Sequence, residues 1–317
     1  MAGKRVALAL GSGGARGYAH IGVINELRDR GYDIVGIAGS SMGALVGGLQ
    51  AAGKLDDFAE WAKSLTQTAV LRLLDPSISA AGVLRAAKIL DAVRDILGEV
   101  TIEELPIPYT SVATDLISGK SVWLQRGPVD AAIRASIAIP GVITPHVLDG
   151  RLLADGGILD PLPMAPIAAV AADLTIAVSL AGSETAGGQE ADVEPRATTE
   201  WLARMWRSTT ALFDIRAGSD SDGGGSDDEL VDATKEVTVP KLRSFEVMNR
   251  TIDIAQAALA RHTLAAYPPD LLIEVPRTAC RSLEFHRASE VIDIGRELAL
   301  QALDNYQDKV TSDLSPG

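Results

Sequence analysis

The sequence predicts an α/β fold, with three α/β/α layers around a mainly parallel central sheet and with helical insertions. Two short apolar runs, Val6–Leu10 and Ile34–Ala38, lack the alternation of half-exposed strands, as is typical of parallel strands buried on both faces. Each run is followed by a glycine-rich turn and a helical pattern, which is the order of a βαβ unit. Two later runs, Leu174–Ser179 and Leu271–Val275, indicate that the chain returns to the same sheet.

The remaining elements follow from periodicity and from turn residues. Helical periodicity through Leu55–Gly98, with breaks at Asp75–Pro76 and Gly82, predicts an insertion of helices. Asp149–Gly150 suits the type I′ turn of a β-hairpin. Further strands are predicted at Tyr109–Asp115, Ser121–Leu124, Ile143–Leu148 and Arg151–Leu153. Further helices are predicted at Tyr18–Arg30, Val129–Ile137, Met164–Ala171, Arg196–Arg216, Leu242–Ala266 and Arg287–Asp308.

The chain is predicted to form a single domain over residues 1–310, with a motif-bearing core at about residues 5–180. An acidic insertion occupies residues 217–234. Within it, Gly218–Asp232 contains Ser-Asp-Gly repeats with six acidic residues and no basic one. Such a composition cannot bury a core, so we expect this insertion to be disordered. Residues 311–317 are expected to form a tail.

Composition excludes several classes of protein. The 317 residues can bury a sizeable core, and 47% are hydrophobic but 4% aromatic, so Ala, Leu, Ile and Val must fill it. The net charge of −13 argues against nucleic-acid binding but leaves contact with a membrane surface open. Cys280 is the single cysteine, so no internal disulfide is possible, and no metal or cofactor is indicated. No apolar run is long enough to span a membrane, which predicts a cytoplasmic protein.

The pattern Gly39-Ser40-Ser41-Met42-Gly43 lies between a predicted strand and a predicted helix. In that context G-x-S-x-G indicates a nucleophile elbow, which exposes the serine hydroxyl on a strained turn. The glycines allow strand and helix to approach closely, and the helix N-terminus favours developing negative charge. The alternative is an ordinary Gly/Ser turn before a helix, and the pattern alone does not decide between them.

A second glycine-rich stretch, Gly11–Gly17, follows the first predicted strand. A dinucleotide-binding fingerprint would need glycine where Arg16 stands, and an acidic residue at the end of the second strand, which has none. We therefore favour an oxyanion hole formed by the amides of Gly13 and Gly14 at a helix N-terminus. The carboxyl ends of the first two strands would bring this loop beside Ser41.

A serine nucleophile needs a base, and two kinds of candidate are present. The chain has four histidines, His20, His146, His262 and His286. Of these, His286 best fits the position of a late histidine after a strand, although each histidine is more simply explained as structural. The other candidate is Asp155, between an apolar run and two glycines, for which the simpler explanation is an ordinary Asx turn.

Three ordered motifs, namely the Gly11–Gly17 loop, the Ser41 elbow and Asp155-Gly156-Gly157, resemble those of the patatin-like phospholipases, above all the bacterial members. Two further stretches look similar to that family, Ala113–Leu116 and Arg134–Pro140. The resemblance covers about residues 5–180. It implies a Ser-Asp dyad without histidine, in which Ser41 is the nucleophile and Asp155 is its partner.

The resemblance also implies roles for the residues around the dyad. It assigns the oxyanion hole to the amides of Gly13 and Gly14, and it makes Arg16 the basic residue of the loop motif. This chain departs from the family at Ser12, where many members have glycine, and at Asp160, where many have asparagine. The remaining motif positions are Gly11, Gly17, Gly39, Gly43, Gly156 and Gly157.

The function implied by the resemblance is that of a serine hydrolase. Such an enzyme cleaves carboxylic esters of lipids, such as phospholipids, lysophospholipids or other fatty acyl esters, through an acyl-enzyme. The alternative is a catalytically weak regulatory or scaffold protein that recruits a partner through the acidic insertion. No oligomeric state follows from the sequence.

The sequence leaves the role of two apolar clusters open. The helical insertion carries five residues that either line an acyl pocket or pack in the core: Phe58, Trp61, Leu65, Leu73 and Leu74. The predicted helix Arg196–Arg216 has an apolar face that includes Trp201 and Trp206. That face either makes peripheral membrane contact or packs against the core.

Overall fold

The computed structural model describes residues 3–73, 87–140, 142–182 and 244–313. The strands are β1 (Arg5–Leu10), β2 (Asp33–Ser40), β3 (Tyr109–Asp115), β4 (Lys120–Leu124), β5 (His146–Leu148), β6 (Arg151–Asp155), β7 (Leu174–Gly182) and β8 (Leu271–Pro276). They form one mixed sheet in the order β5-β6-β3-β2-β1-β7-β8, with β4 also paired to β3. β1, β2, β3, β7 and β8 are parallel, whereas β4, β5 and β6 pair in antiparallel fashion at one end of the sheet.

The helices flank this sheet. They are α1 (Ala19–Asp29), α2 (Met42–Ala51), α3 (Leu55–Lys63), α4 (Gln67–Leu73), α5 (Ala87–Leu97), α6 (Val129–Ser136), α7 (Ser244–Ala266) and α8 (Ala288–Asp313). A 3₁₀ turn at Gly14–Tyr18 precedes α1, and the helix is one residue shorter at each end than the predicted helix Tyr18–Arg30. The predicted helical insertion is present as α3, α4 and α5.

The side chains of β1 show why the sequence predicts a three-layer fold. Val6, Leu8 and Leu10 face a large core beneath α1, α2, α3, α5, α6 and α8. Ala7 and Ala9 face a smaller core on the opposite side, which Ala260 of α7 helps to cover. All five of these β1 residues are 0% exposed, so an uninterrupted apolar run is required. The predicted α/β/α architecture is confirmed.

The predicted helix Met164–Ala171 is wrong. The structure has a single 3₁₀ turn there, Ala165–Ile167. Pro166 lacks an amide hydrogen, and the amides of Ala168 and Val170 bond to carbonyls three residues back rather than four. Short turns of this kind pack apolar side chains on the sheet without forming a helix.

Several other boundaries also differ from the prediction. The strand predicted from Ile143 begins at His146, because the amides of Val142 and Ile143 bond to the Ile139 carbonyl in a turn. β6 extends two residues further than predicted and ends at Asp155. α8 continues to Asp313, so residues 311–313 are helical rather than part of a tail.

Several predictions lie outside the described residues. They are the helix Arg196–Arg216 with Trp201 and Trp206, the acidic insertion at 217–234, the breaks at Asp75–Pro76 and Gly82, residue Leu74 and the side chain of Leu73. Among the helices that the structure describes, none is both long and apolar enough to cross a membrane.

α1 and α8 pack with their backbones in close contact. A Cβ atom at Gly295 of α8 would lie 2.1 Å from the Ala19 carbonyl oxygen, and one at Gly22 of α1 would lie 2.0 Å from the Ile292 carbonyl oxygen. Neither oxygen can move aside like a flexible side chain, because both belong to helix backbone. The pair of glycines therefore sets the spacing of the two helices.

Replacing Gly295 with alanine should push α8 away from α1. Overpacking of this kind destabilises proteins by about 1–3 kcal/mol. We expect Gly295→Ala to lower the melting temperature measured by circular dichroism. Asn305→Ala, on an exposed position of the same helix, is the control and should change stability by less than about 0.5 kcal/mol. Equal melting temperatures for the two variants would contradict the close helix contact.

Candidate active site

Ser41 lies at the turn between β2 and α2. Its backbone has φ 55° and ψ −120°, a strained conformation for a residue with a side chain. A Cβ atom at Gly39 would lie 2.2 Å from the Gly43 carbonyl oxygen, and one at Gly43 would lie 2.1 Å from the Leu10 carbonyl oxygen. Strand, turn and helix therefore approach too closely for any residue but glycine at these positions. This is the local geometry of a nucleophile elbow.

The Ser41 hydroxyl donates a 2.5 Å hydrogen bond to Asp155 Oδ2. Asp155 ends β6, which pairs with β3 just beyond the point where β2 stops. Two residues separated by 114 positions are brought together in this way. The second carboxylate oxygen, Oδ1, accepts a 2.8 Å hydrogen bond from the Gly157 amide.

Burial governs the electrostatics of this pair. Ser41 is 4% exposed and Asp155 is 3% exposed. Burial raises the pKa of Asp155 to about 6, although the hydrogen bonds from Ser41 and Gly157 act in the opposite direction. The carboxylate is therefore a stronger proton acceptor than an exposed aspartate.

The glycine loop presents two unpaired amides beside Ser41. The amides on either side are occupied: Ser12 donates to the Pro161 carbonyl at 2.8 Å, and Ala15 donates to the Ser282 carbonyl at 2.9 Å. Within the described part of the chain, the amides of Gly13 and Gly14 have no acceptor. Gly14 has φ 58°, and a Cβ atom there would lie 2.4 Å from the Ser282 carbonyl oxygen. The pair suits an oxyanion at this position.

The other loop residues tie the loop to α7. The Arg16 side chain is 7% exposed and forms a 3.2 Å ion pair with Asp253. Ser12 Oγ donates a 3.2 Å hydrogen bond to Gln256 Oε1, so this departure from the family has a partner on α7. The structure places the remaining motif glycines, Gly11, Gly17, Gly156 and Gly157, in the same loop and in the turn after Asp155.

Ser136 is a functional residue that sequence reasoning missed. Its hydroxyl accepts a 2.9 Å hydrogen bond from the Ser41 amide and donates a 2.5 Å hydrogen bond to the Val112 carbonyl. Ser136 is 0% exposed. The signal was present, because Ser136 belongs to the stretch Arg134–Pro140 that resembles the family, but no chemical role follows from that pattern alone.

The four histidines lie away from the Ser41–Asp155 pair. None of them bonds to either residue or lines the adjoining cavities among the residues described. His20 is fully buried in α1 with Nε2 2.8 Å from the Gly11 carbonyl oxygen, and burial lowers its pKa to about 4. It is therefore neutral and donates to that carbonyl. The other three, His146, His262 and His286, lie on β5, on α7 and in a 3₁₀ turn.

Burial also raises the pKa values of two other groups, Cys280 and Asp160. Cys280 is a buried free thiol, and burial raises its pKa to about 11, which disfavours the reactive thiolate. Asp160 follows Asp155 on the same turn, and burial raises its pKa to about 6. The described residues contain no group of three His, Cys, Asp or Glu side chains that could hold a metal ion.

An apolar cavity adjoins Ser41. Its walls come from the glycine loop and α2, from the helical insertion, from the segment that follows α6 and from the loop before α8. Six of the lining residues are Tyr18, Phe58, Trp61, Leu65, Val70 and Phe285. Phe58 and Trp61 also pack against the main core, so the two roles considered for these residues coexist.

A second cavity meets the first at Ser41 and Gly14. It differs in chemistry, because Asp253, Gln256 and Ser282 supply polar groups to its walls. Ser41 therefore lies between an apolar cavity and a partly polar one. This arrangement can accommodate a molecule with an apolar chain on one side of a reacting bond and a polar group on the other.

Known proteins are similar to this chain in sequence. A family model described as patatin-like phospholipase matches residues 8–168. An uncharacterized NTE family protein of Mycobacterium tuberculosis is 67% identical over 334 aligned positions, which cover 96% of this chain and 92% of that protein.

Two more distant similarities were found. Neuropathy target esterase sws of Drosophila grimshawi is 33% identical over 170 aligned positions, covering 51% of this chain and 12% of that protein. The crystal structure of VipD from Legionella pneumophila is 15% identical, with a TM-score of 0.46 over 96% of this chain and 67% of that one.

The matched region, residues 8–168, contains the glycine loop, the Ser41 elbow and Asp155. The mycobacterial relative is similar over nearly its whole length. Together these matches confirm the resemblance seen in the sequence. The chain belongs to the patatin-like phospholipase family.

Proposed function

We propose that this protein hydrolyses carboxylic ester bonds of lipids through an acyl-enzyme on Ser41, with Asp155 as the base. The observation that carries the proposal is the 2.5 Å hydrogen bond from the Ser41 hydroxyl to Asp155. It lies beside the amides of Gly13 and Gly14, which have no acceptor in the described part of the chain. Membership of the patatin-like phospholipase family supports activity on lipid esters. Peripheral membrane contact and a cytoplasmic location stay predictions from the sequence.

The first half-reaction forms the acyl-enzyme. Ser41 Oγ attacks the ester carbonyl carbon while Asp155 Oδ2 accepts the hydroxyl proton. The carbonyl oxygen becomes an oxyanion, which accepts hydrogen bonds from the amides of Gly13 and Gly14. The bond between carbonyl carbon and ester oxygen then breaks, and Asp155 returns the proton to the departing alcohol.

The second half-reaction restores the enzyme. Asp155 accepts a proton from water as the water oxygen attacks the acyl carbonyl carbon, and the oxyanion forms again at Gly13 and Gly14. The bond to Ser41 Oγ breaks, and the proton returns to the serine. A carboxylic acid leaves. A raised pKa at Asp155 helps both steps, because a base is most effective when its pKa lies near the working pH.

The apolar cavity is the proposed site of the acyl chain. Its apolar walls lie directly beside Ser41, so they suit the hydrocarbon part of an ester. Phe58, Trp61 and Leu65 line it, which is one of the two roles that the sequence left open for them. Each methylene that enters contributes about 0.8 kcal/mol. Esters with longer acyl chains should therefore be preferred until the cavity is full.

Substitution of the two reacting residues should separate this mechanism from a histidine-dependent one. We expect Ser41→Ala to lower kcat by about 10⁴-fold or more, and Asp155→Asn to come close to that loss. His262→Ala and His286→Ala should retain activity, since neither side chain reaches the pair. The measurement is hydrolysis of a p-nitrophenyl acyl ester. A histidine variant as inactive as Ser41→Ala would overturn the dyad.

Labelling by a fluorophosphonate probe distinguishes an enzyme from a scaffold protein. The probe should label the wild-type chain and fail to label Ser41→Ala. A folded wild-type protein that neither reacts with the probe nor cleaves any ester in a lipid panel would favour the regulatory alternative. The same lipid panel identifies the head group, chain length and position cleaved.

The pH profile should reflect the ionisation of Asp155. The base must be deprotonated, and its pKa is raised to about 6, so kcat/KM should fall as the pH drops below about 6. Asp160→Asn is the matched control, because burial raises that pKa to about 6 as well. The acidic limb should persist in Asp160→Asn. Its disappearance there would assign the limb to Asp160 instead.

Narrowing the apolar cavity should change the preferred chain length. Val70 lines the cavity wall on α4, so Val70→Phe should lower kcat/KM for long acyl esters by about tenfold or more and leave butyryl esters unchanged. Val147→Phe introduces the same change at a position on β5 that is 67% exposed. It should leave the preference for acyl chain length unaltered. A uniform loss across all chain lengths in Val70→Phe would argue against an acyl site here.

A further inference from the structure

The segment Ser136–Ala138, where α6 ends, bonds to both members of the Ser41–Asp155 pair. Ser136 Oγ accepts the 2.9 Å hydrogen bond from the Ser41 amide. Two residues later, the Ala138 carbonyl accepts a 3.0 Å hydrogen bond from the Asp155 amide. We propose that this segment sets the separation of the two reacting groups, and that Ser136 is a positioning residue for Ser41. The inference rests on the proposed function, since it takes Ser41 as the nucleophile.

The hydroxyl of Ser136 acts where strand pairing stops. The last paired residues of β2 and β3 are Ser40 and Val112. Ser41 turns away from the strand with φ 55°, so its amide leaves the ladder. Ser136 Oγ lies between that amide and the Val112 carbonyl, accepting from the first and donating to the second. The hydroxyl thereby extends the hydrogen bonding of the sheet by one step through the strained turn.

The same place in the sheet holds the base. Ala113, next to Val112, pairs with Asp155 across β3 and β6. A Cβ atom at Gly156 would lie 2.1 Å from the Val112 carbonyl oxygen, so the turn after Asp155 also packs closely on that carbonyl. The nucleophile and the base are therefore both held in place by the same short stretch of β3 and by the end of α6.

Loss of the Ser136 hydroxyl would leave the buried Ser41 amide without its partner. An unpaired buried amide is unfavourable, and the elbow is already strained, so the turn should relax and carry Ser41 Oγ away from Asp155. Misplacement of a reacting atom by about 1 Å reduces rates by about 100-fold. Substrate binding in the apolar cavity does not involve this hydroxyl.

The test is a comparison of kcat and KM for Ser136→Ala with a p-nitrophenyl acyl ester. We expect kcat to fall by about 10- to 100-fold while KM changes by less than about twofold. Fluorophosphonate labelling should slow by a similar factor. Ser136→Cys, which keeps a weak donor and acceptor of similar size, should recover part of the loss.

A shift of the pH profile gives a second readout that simple destabilisation would not produce. The hydrogen bond from Ser41 lowers the pKa of Asp155, so loosening that bond should raise it. The acidic limb of kcat/KM in Ser136→Ala should therefore move to higher pH. An unmoved limb together with wild-type kcat would overturn the proposal.

Ser111→Ala provides the matched control. Ser111 is also 0% exposed, and its hydroxyl donates a 3.0 Å hydrogen bond to the Ala132 carbonyl of α6. Both variants remove one buried serine hydroxyl that links β3 to α6, so their melting temperatures should fall alike. Only Ser136→Ala should lose kcat. Equal loss of kcat in both variants would overturn the positioning role, whereas full activity in Ser41→Ala would instead refute the proposed function.

Discussion

The hydrogen bond between the Ser41 hydroxyl and the buried Asp155 carboxylate is the contact on which the site depends. It requires two strands that run in opposite directions to end at the same place. β2 runs parallel to β3 and stops at Ser40, and the antiparallel strand β6 takes over the pairing with β3 at that point. The change from parallel to antiparallel pairing is thus what brings serine and aspartate together.

Holding a carboxylate in this position opposes folding at neutral pH. In the unfolded chain the Asp155 pKa would be 3.8, and burial raises it to about 6 in the folded state. The folded state therefore binds the proton more tightly, so the unfavourable contribution is fully present above about pH 6 and is relieved as the pH falls towards 3.8. Its size is roughly 3 kcal/mol. Favourable packing elsewhere in the fold must offset it.

Local sequence patterns pointed to individual residues of the site better than they predicted which distant residues come together. Gly39, Ser41 and Gly43 lie within one turn, so their spacing was enough to make the elbow one of two interpretations. The partnership of Ser41 with Asp155 depends on sheet pairing across 114 positions, and the residues by themselves left both Asp155 and the histidines as candidates. Resemblance to a family selected Asp155. Tertiary contacts also explain why Ser136 was missed, because its role exists only where α6 meets the end of β2.

The wrong elements have local physical causes. Around Pro166, the sequence suggested a helix, but a residue without an amide hydrogen favoured a 3₁₀ turn.

The residues that line the apolar cavity could be identified from the sequence only in part. Helical periodicity identified Phe58, Trp61 and Leu65, whereas Leu283 and Phe285 line the same cavity from the loop before α8, where no periodicity marks them.

A carboxylate base changes how charge must be managed during the reaction. When a neutral histidine accepts the serine proton, it becomes a cation and offsets the oxyanion. In the proposed mechanism, Asp155 becomes neutral when it accepts the proton, so one negative charge moves from the carboxylate to the oxyanion. The reaction is favoured when hydrogen-bond donors are stronger at the second position than at the first.

The structure has this asymmetry in its donors. Before the reaction, the Asp155 carboxylate is buried and accepts from Gly157 and from Ser41 itself. The second of these bonds is given up as the proton moves. In the proposed mechanism, the charge arrives beside the amides of Gly13 and Gly14, which are unpaired among the described residues, and near the N-terminus of α2. Because these donors hold no partner beforehand, their full strength is reserved for the oxyanion.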